Sequence, residues 1–154
     1  MNKNCIFTIC AKNYIGLAQT LEKSVKKYNN NVDFYIIVAD EFNREEKTIL
    51  GNNIFIAKEI LNIDETLWIN MSFKYNLTEF CTCIKPFTIE YFFTQKGYET
   101  VCYLDPDIYL FNSFDYIFIT AVGASRIKPL LVFKRRNIYP SITKKRDKLD
   151  CVVL

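Results

Sequence analysis

The chain has 154 residues, of which 50% are hydrophobic and 16% aromatic, and its net charge is +3. This length supports one compact domain, and this composition excludes an intrinsically disordered chain. Because the sequence contains no histidine, metal sites and catalytic dyads that need an imidazole are excluded. Six cysteines, and no apolar run near the roughly 20 residues of a membrane span, predict a cytoplasmic protein with reduced thiols and no transmembrane segment.

The first 57 residues alternate short β-branched runs with amphipathic stretches, which is typical of strands and helices in turn. The predicted order is strand 5–10, helix 14–28, strand 33–39, helix 44–50 and strand 53–57. Such an alternation with buried strands predicts an α/β fold, a mainly parallel twisted sheet with flanking helices.

A longer helix is predicted next, beginning at Asn76 as N-cap with Glu79 as its capping-box partner. It is expected to run to Gly97, with a bend at Pro86 because proline lacks the backbone N–H that the helix needs there. Residues 100–104 then form a fourth buried strand.

The charge of the chain changes near its C-terminal end. Residues 126–154 carry nine basic and two acidic side chains, whereas acidic side chains predominate before them. We therefore predict a folded domain at 1–120 and an atypical basic tail at 121–154, in which 130–133 could form a strand. Two interpretations of the tail stay open: a disordered remnant of a truncated chain, or a segment in peripheral contact with a membrane surface or another polyanion. A nucleic-acid partner is not expected.

Asp105 and Asp107 flank Pro106 directly after the fourth predicted strand. In an open α/β sheet, ligands bind at the carboxyl ends of the strands. Proline disfavours a helical conformation of the preceding residue, so the tripeptide is predicted to be extended, with both carboxylates on the same side. Two hard oxygen ligands suit Mg²⁺ or Mn²⁺, although Asp-Pro is also an ordinary turn sequence.

Three segments carry a resemblance to a known family: FTICAKNYIGLA at 7–18, YNLTEFCTCIKPF at 75–87 and VCYLDPDIY at 101–109. They resemble, in order, the first strand and nucleotide loop, the E-x-x-T-x-x-K-P helix and the DxD strand of bacterial GT-A glycosyltransferases similar to family eight. The resemblance covers about residues 4–118. It implies that 1–120 is a Rossmann-like nucleotide-sugar-binding half with an incomplete C-terminal part.

The resemblance also implies a set of site residues. Asp105 and Asp107 would hold Mn²⁺ or Mg²⁺ against the diphosphate, and Asp105 would also contact the nucleotide sugar. The other residues implied to bind the nucleotide sugar are Thr8, Ala11, Asn13, Tyr14, Asp40, Glu79, Thr82 and Lys85. Simpler roles stay open for several of them: core packing for Tyr14, strand termination for Asp40, helix capping for Glu79 and solvent exposure for Lys85.

The implied activity is transfer of a sugar from a UDP- or GDP-linked donor to the hydroxyl of a glycan or another acceptor, with the catalytic residue unassigned. A complete enzyme of this kind is longer, so a truncated chain is expected. An inactive nucleotide-binding remnant is the first alternative. A nucleotidyltransferase is the second, but it calls for a glycine-rich basic loop after the first strand, where this chain has one glycine and one lysine.

Overall fold

A computed structural model gives the fold of the chain. It describes residues 4–48 and 50–113, together with the backbone of 130–134 and 150–153. The strands are β1 Asn4–Cys10, β2 Asp33–Val38, β3 Ile54–Ile56, β4 Thr100–Leu104, β5 Leu130–Lys134 and β6 Asp150–Val153. The helices are α1 Ile15–Tyr28, α2 Arg44–Lys47, α3 Ala57–Ile60, α4 Glu65–Lys74, α5 Leu77–Cys83 and α6 Lys85–Thr94, with a short 3-10 turn at Lys12–Tyr14.

The six strands form one sheet in the order β3-β2-β1-β4-β5-β6. Strands β1 to β4 are parallel, and Ile6 of β1 lies beside Phe34 of β2 and Cys102 of β4. Strands β5 and β6 are antiparallel to their neighbours. The predicted α/β fold with a mainly parallel sheet is therefore confirmed.

Apolar side chains cover both faces of the parallel strands β1 to β4, as the continuous apolar runs of buried parallel strands predict. On one face, α1 packs through Ala18, Leu21 and Val25 against residues such as Ile6. On the other face, α3 to α6 cover an aromatic cluster centred on Phe92. Each face thus has its own core, and α5 and α6 are held against the second one.

Pro86 separates two helices, whereas the sequence predicted one bent helix from Asn76 to Gly97. Helix α5 ends at Cys83 and α6 begins at Lys85, which puts Pro86 in the first turn of α6. The N–H groups of a first turn have no partner inside their own helix, so proline costs nothing there. The capping box between Asn76 and Glu79 is confirmed, and Gly97 has the positive φ of 74° that favours glycine after a helix.

Two short segments beyond residue 120 belong to the sheet. The predicted strand at 130–133 is confirmed by β5, and β6 pairs with it. The predicted boundary at 120 and the rest of the basic tail lie outside the described residues. Among the helices in the described part of the chain, none combines the length and apolarity that crossing a bilayer requires.

Candidate functional site

A cleft with a volume of about 530 Å³ opens at the carboxyl ends of β1 and β4. Strand β2 lies on one side of β1, and β4 lies on the other. The strands that follow β1 are therefore added first on one side and then on the other, which makes the boundary between β1 and β4 the switch point of the sheet. In doubly wound sheets, ligands bind at this kind of switch point. The cleft is lined by Ile9, Cys10, Ala11, Tyr14, Leu77, Thr78, Cys81, Thr82, Lys85, Tyr103, Asp105, Pro106 and Asp107.

Asp105, Pro106 and Asp107 form a turn, not the extended segment that the sequence predicted. The Ile108 N–H donates to the Asp105 carbonyl at 3.2 Å, which closes a four-residue turn with proline at its second position. Proline is favoured there, and the bias that it imposes on the preceding residue does not extend to the residues after it. Both carboxylates line the cleft, with Asp105 half-buried and Asp107 exposed.

Lys85, Tyr103 and Asp105 form a compact polar cluster at the base of the turn. The Tyr103 hydroxyl donates to Asp105 Oδ1 at 2.7 Å. Lys85 Nζ lies 3.9 Å from the centroid of the Tyr103 ring and 3.9 Å from the same Oδ1. Burial lowers the pKa of Lys85, opposed by the attraction of Asp105 and of Cys81. Burial, with the hydrogen bond to Asp105, raises the pKa of Tyr103 well above its usual range. An ammonium group is thus kept close to a carboxylate in a partly desolvated part of the cleft.

Six of the predicted site residues come together here: Ala11, Tyr14, Thr82, Lys85, Asp105 and Asp107 line the cleft. Tyr14 is 45% exposed, so it is not a fully buried core residue. Four others do not line it: Thr8, Asn13, Asp40 and Glu79. Asn13 is exposed in the 3-10 turn, and the carboxylate of Glu79 accepts the Asn76 N–H in the capping box. The ligand roles implied for all these residues stay predictions.

The side chain of Asp40 stabilises the loop after β1, which forms one wall of the cleft. Its Oδ2 accepts a hydrogen bond from the Lys12 backbone N–H at 2.5 Å, and the Ala39 N–H donates to the Cys10 carbonyl at 2.9 Å. The ammonium group of Lys12 in turn pairs with Glu46 at 2.8 Å. Asp40 therefore links the end of β2 to the loop after β1, which carries Ala11 and Tyr14.

Sequence reasoning missed several cleft residues on α5 and at the strand ends. Leu77 and Cys81, and likewise Thr78 and Thr82, are four apart on α5, so helical spacing puts each pair on one face. Because Thr82 and Lys85 were themselves predicted site residues, the same helical spacing would have indicated their neighbours on α5.

Burial, with smaller contributions from Cys81 and Asp40, raises the pKa of Cys10 to about 12, so its thiol stays protonated and is a poor nucleophile.

Thr8 lies inside the α1 side of the core. It is two residues from Ile6 and from Cys10 along β1, so it shares the face on which they pack, and it is fully buried. Its hydroxyl has no hydrogen-bond partner among the described residues. A buried hydroxyl without a partner destabilises the folded state.

We expect Thr8→Val to raise the free energy of unfolding by about 1 kcal/mol, because valine keeps the shape of threonine and removes the unpaired hydroxyl. Urea denaturation followed by circular dichroism measures this change. Ligand binding in the cleft should be unaffected. A decrease in stability, or a loss of binding, would show that the hydroxyl has a partner that the described residues do not include.

The chemistry of the donor set fits a divalent cation as part of a larger ligand shell. Asp105 and Asp107 offer hard carboxylate oxygens, and Mg²⁺ is typically bound by one or two carboxylates with substrate phosphate and water completing the shell. Within the described part of the chain, no group of three or more Cys, Asp or Glu residues lies close enough to hold a metal alone. A metal in this cleft would therefore complete its ligand shell with water, and the phosphates of a ligand would replace part of that water and bind the metal more tightly.

No known protein-family model and no curated protein matches the chain.

Proposed function

We propose that the chain binds a nucleoside diphosphate sugar in this cleft, as the donor half of a cytoplasmic glycosyltransferase. The observation that carries the proposal is the convergence of two carboxylates and one half-buried lysine on one cleft at the switch point of the sheet. A diphosphate carries negative charge that a lysine and a carboxylate-bound divalent cation can neutralise together. The resemblance of segments 7–18, 75–87 and 101–109 to GT-A enzymes favours the same ligand.

Each end of the cleft suits a different part of such a ligand. Tyr14 presents an accessible ring at the β1 side, where a nucleobase could stack. Lys85 would bind the diphosphate, and Asp105 and Asp107 would hold Mn²⁺ or Mg²⁺ against it. The metal would supply positive charge that stabilises the departing diphosphate.

The reaction that follows from this arrangement is glycosyl transfer. The bond from the anomeric carbon of the sugar to the diphosphate oxygen breaks, and a bond from that carbon to the acceptor oxygen forms. The hydroxyl of a glycan or another acceptor loses its proton, and the nucleoside diphosphate leaves.

A second candidate function is nucleotide binding without transfer. Among the described cleft residues, the acidic side chains are those of Asp105 and Asp107, and both are assigned to the metal. This observation leaves no further carboxylate in that set to accept the acceptor's proton, so it favours a binding module. Release of free nucleoside diphosphate from a UDP- or GDP-sugar distinguishes the two functions.

Titration calorimetry of the purified chain with UDP and GDP, with and without Mn²⁺, tests the binding proposal. We expect one of the two nucleotides to bind at least roughly 100-fold more tightly with Mn²⁺, a difference of about 2.7 kcal/mol. The corresponding monophosphate is the matched control, because it lacks the second phosphate that the metal would bridge. Failure of a demonstrably folded chain to bind either diphosphate, or binding that is indifferent to Mn²⁺, contradicts the proposal.

A further inference from the structure

Tyr103 contacts Lys85 and Asp105 although it is itself only 3% exposed. It is the fourth residue of β4, and its ring packs against Phe7 with the ring centroids 5.3 Å apart. Its hydroxyl donates to Asp105 Oδ1, and its ring face lies under the ammonium group of Lys85. One buried side chain therefore fixes a carboxylate by a hydrogen bond and an ammonium group by a cation–π contact.

The distances show which contact dominates at Asp105. The Tyr103 hydroxyl is 2.7 Å from Oδ1, an ordinary length for a hydrogen bond to a carboxylate. Lys85 Nζ is 3.9 Å from the same oxygen, which exceeds the usual range for a hydrogen bond from nitrogen. Among the described residues, the other oxygen of Asp105 accepts no hydrogen bond. The carboxylate thus keeps one oxygen available while the lysine stays on the ring.

We propose that Tyr103 is a positioning residue that keeps the 3.9 Å ion pair of Asp105 and Lys85 from closing into a hydrogen-bonded one, so that Asp105 stays available to a divalent cation and Lys85 to a phosphate. If the two closed on each other, each charge would be neutralised before a ligand arrived. This inference rests on the proposed function. It adds a residue to which the resemblance assigned no role.

The test is Tyr103→Phe, which removes the hydroxyl and keeps the ring. Tyr98→Phe is a matched control, because the buried Tyr98 hydroxyl donates to Asp33 Oδ2 at 2.6 Å, next to the start of β2 and at the opposite edge of the sheet. Electron paramagnetic resonance of free Mn²⁺ measures the metal affinity of the full chain without nucleotide. We expect Tyr103→Phe to weaken Mn²⁺ binding roughly tenfold and Tyr98→Phe to leave it unchanged.

Lys85→Met, alone and combined with Tyr103→Phe, separates positioning from a general loss of structure. Removing the lysine charge should help Mn²⁺ in either background, but at least roughly fivefold more in Tyr103→Phe, where Lys85 is free to occupy Asp105. A purely structural role for Tyr103 gives equal gains in the two backgrounds and overturns the inference. So does an unchanged Mn²⁺ affinity in Tyr103→Phe.

The outcomes also distinguish this inference from the proposed function. Mn²⁺ binding that depends on Tyr103, without binding of UDP or GDP, would sustain the positioning role and refute the nucleotide-sugar proposal. Binding of UDP or GDP by the wild-type chain, together with an unchanged Mn²⁺ affinity in Tyr103→Phe, would sustain the nucleotide-sugar proposal and refute the positioning role. A wild-type chain that binds neither Mn²⁺ nor nucleotide refutes both.

Discussion

Replacing both Asp105 and Asp107 with Asn is expected to abolish metal-dependent binding of nucleoside diphosphate, with an affinity loss of at least about 100-fold, or roughly 2.7 kcal/mol. The amide is a weaker ligand than the carboxylate for a hard divalent cation, and the substitution removes two negative charges from the cleft. Because the turn is closed by the Asp105 backbone carbonyl, the side-chain change leaves that hydrogen bond intact. Calorimetry with Mn²⁺ and UDP or GDP measures the loss.

A control with the same change in charge is available on the surface. Asp64 and Glu90 are exposed, and Asn in place of Asp64 can still cap α4. The double variant Asp64→Asn/Glu90→Gln should therefore retain wild-type affinity. Equal losses in both double variants would mean that overall charge, not the cleft carboxylates, governs binding. Retained affinity in the Asp105/Asp107 variant would remove the metal from the proposed function.

The parallel part of the fold could be predicted because its signals are local. Strands β1, β2 and β4 are apolar runs bounded by polar residues, and α1 has a clear amphipathic stripe. The pairing of β4 with β1 rather than with β3 is a long-range arrangement that no local pattern specifies. For the same reason, the sequence indicated a strand at 130–133 but not its antiparallel place in the sheet.

The candidate site could be predicted in part, because the carboxyl ends of parallel strands meet at one edge. That rule put Asp105 and the loop after β1 together correctly. It did not anticipate the wall contributed by α5 and α6, since the approach of a helix to that edge depends on tertiary packing. Nor could it separate Thr8, which faces α1, from residues facing the cleft, because β1 is apolar on both sides and its alternation carries no signal.

Proline accounts for two of the local differences between prediction and structure. At Pro86 the sequence predicted a bend, and at Pro106 it predicted an extended tripeptide. Each prediction respected the constraint of proline itself, but that constraint allows a second conformation. Pro86 is compatible with a kinked helix or with the start of a new helix, and Pro106 is compatible with an extended chain or with a turn. Tertiary contacts choose between them. Lys85 at the start of α6 packs on Tyr103, a contact that depends on where the helix begins.

Phe92→Ala is expected to lower the free energy of unfolding by about 4 kcal/mol, a large share of the 5–15 kcal/mol that typically stabilises a domain. Phe92 is completely buried, and its ring contacts those of Phe7, Tyr35, Tyr91 and Tyr98 at centroid distances of 5.1–6.1 Å. Truncation therefore opens a cavity where α6 joins the sheet.

Urea denaturation of Phe92→Ala measures this effect, and Phe92→Leu, with an expected loss of roughly 1–2 kcal/mol, remains measurable if the alanine variant does not fold. Phe73→Ala on α4 is the matched control: its ring is 90% exposed, so the same deletion should change stability by less than about 0.5 kcal/mol. Comparable losses at both positions would contradict the core assignment.

Phe92 also lies seven residues after Lys85, on the same side of α6. If its packing sets the position of that helix, Phe92→Leu should weaken metal-free nucleotide binding while Phe73→Ala leaves it unchanged, because only the first substitution loosens the support of Lys85.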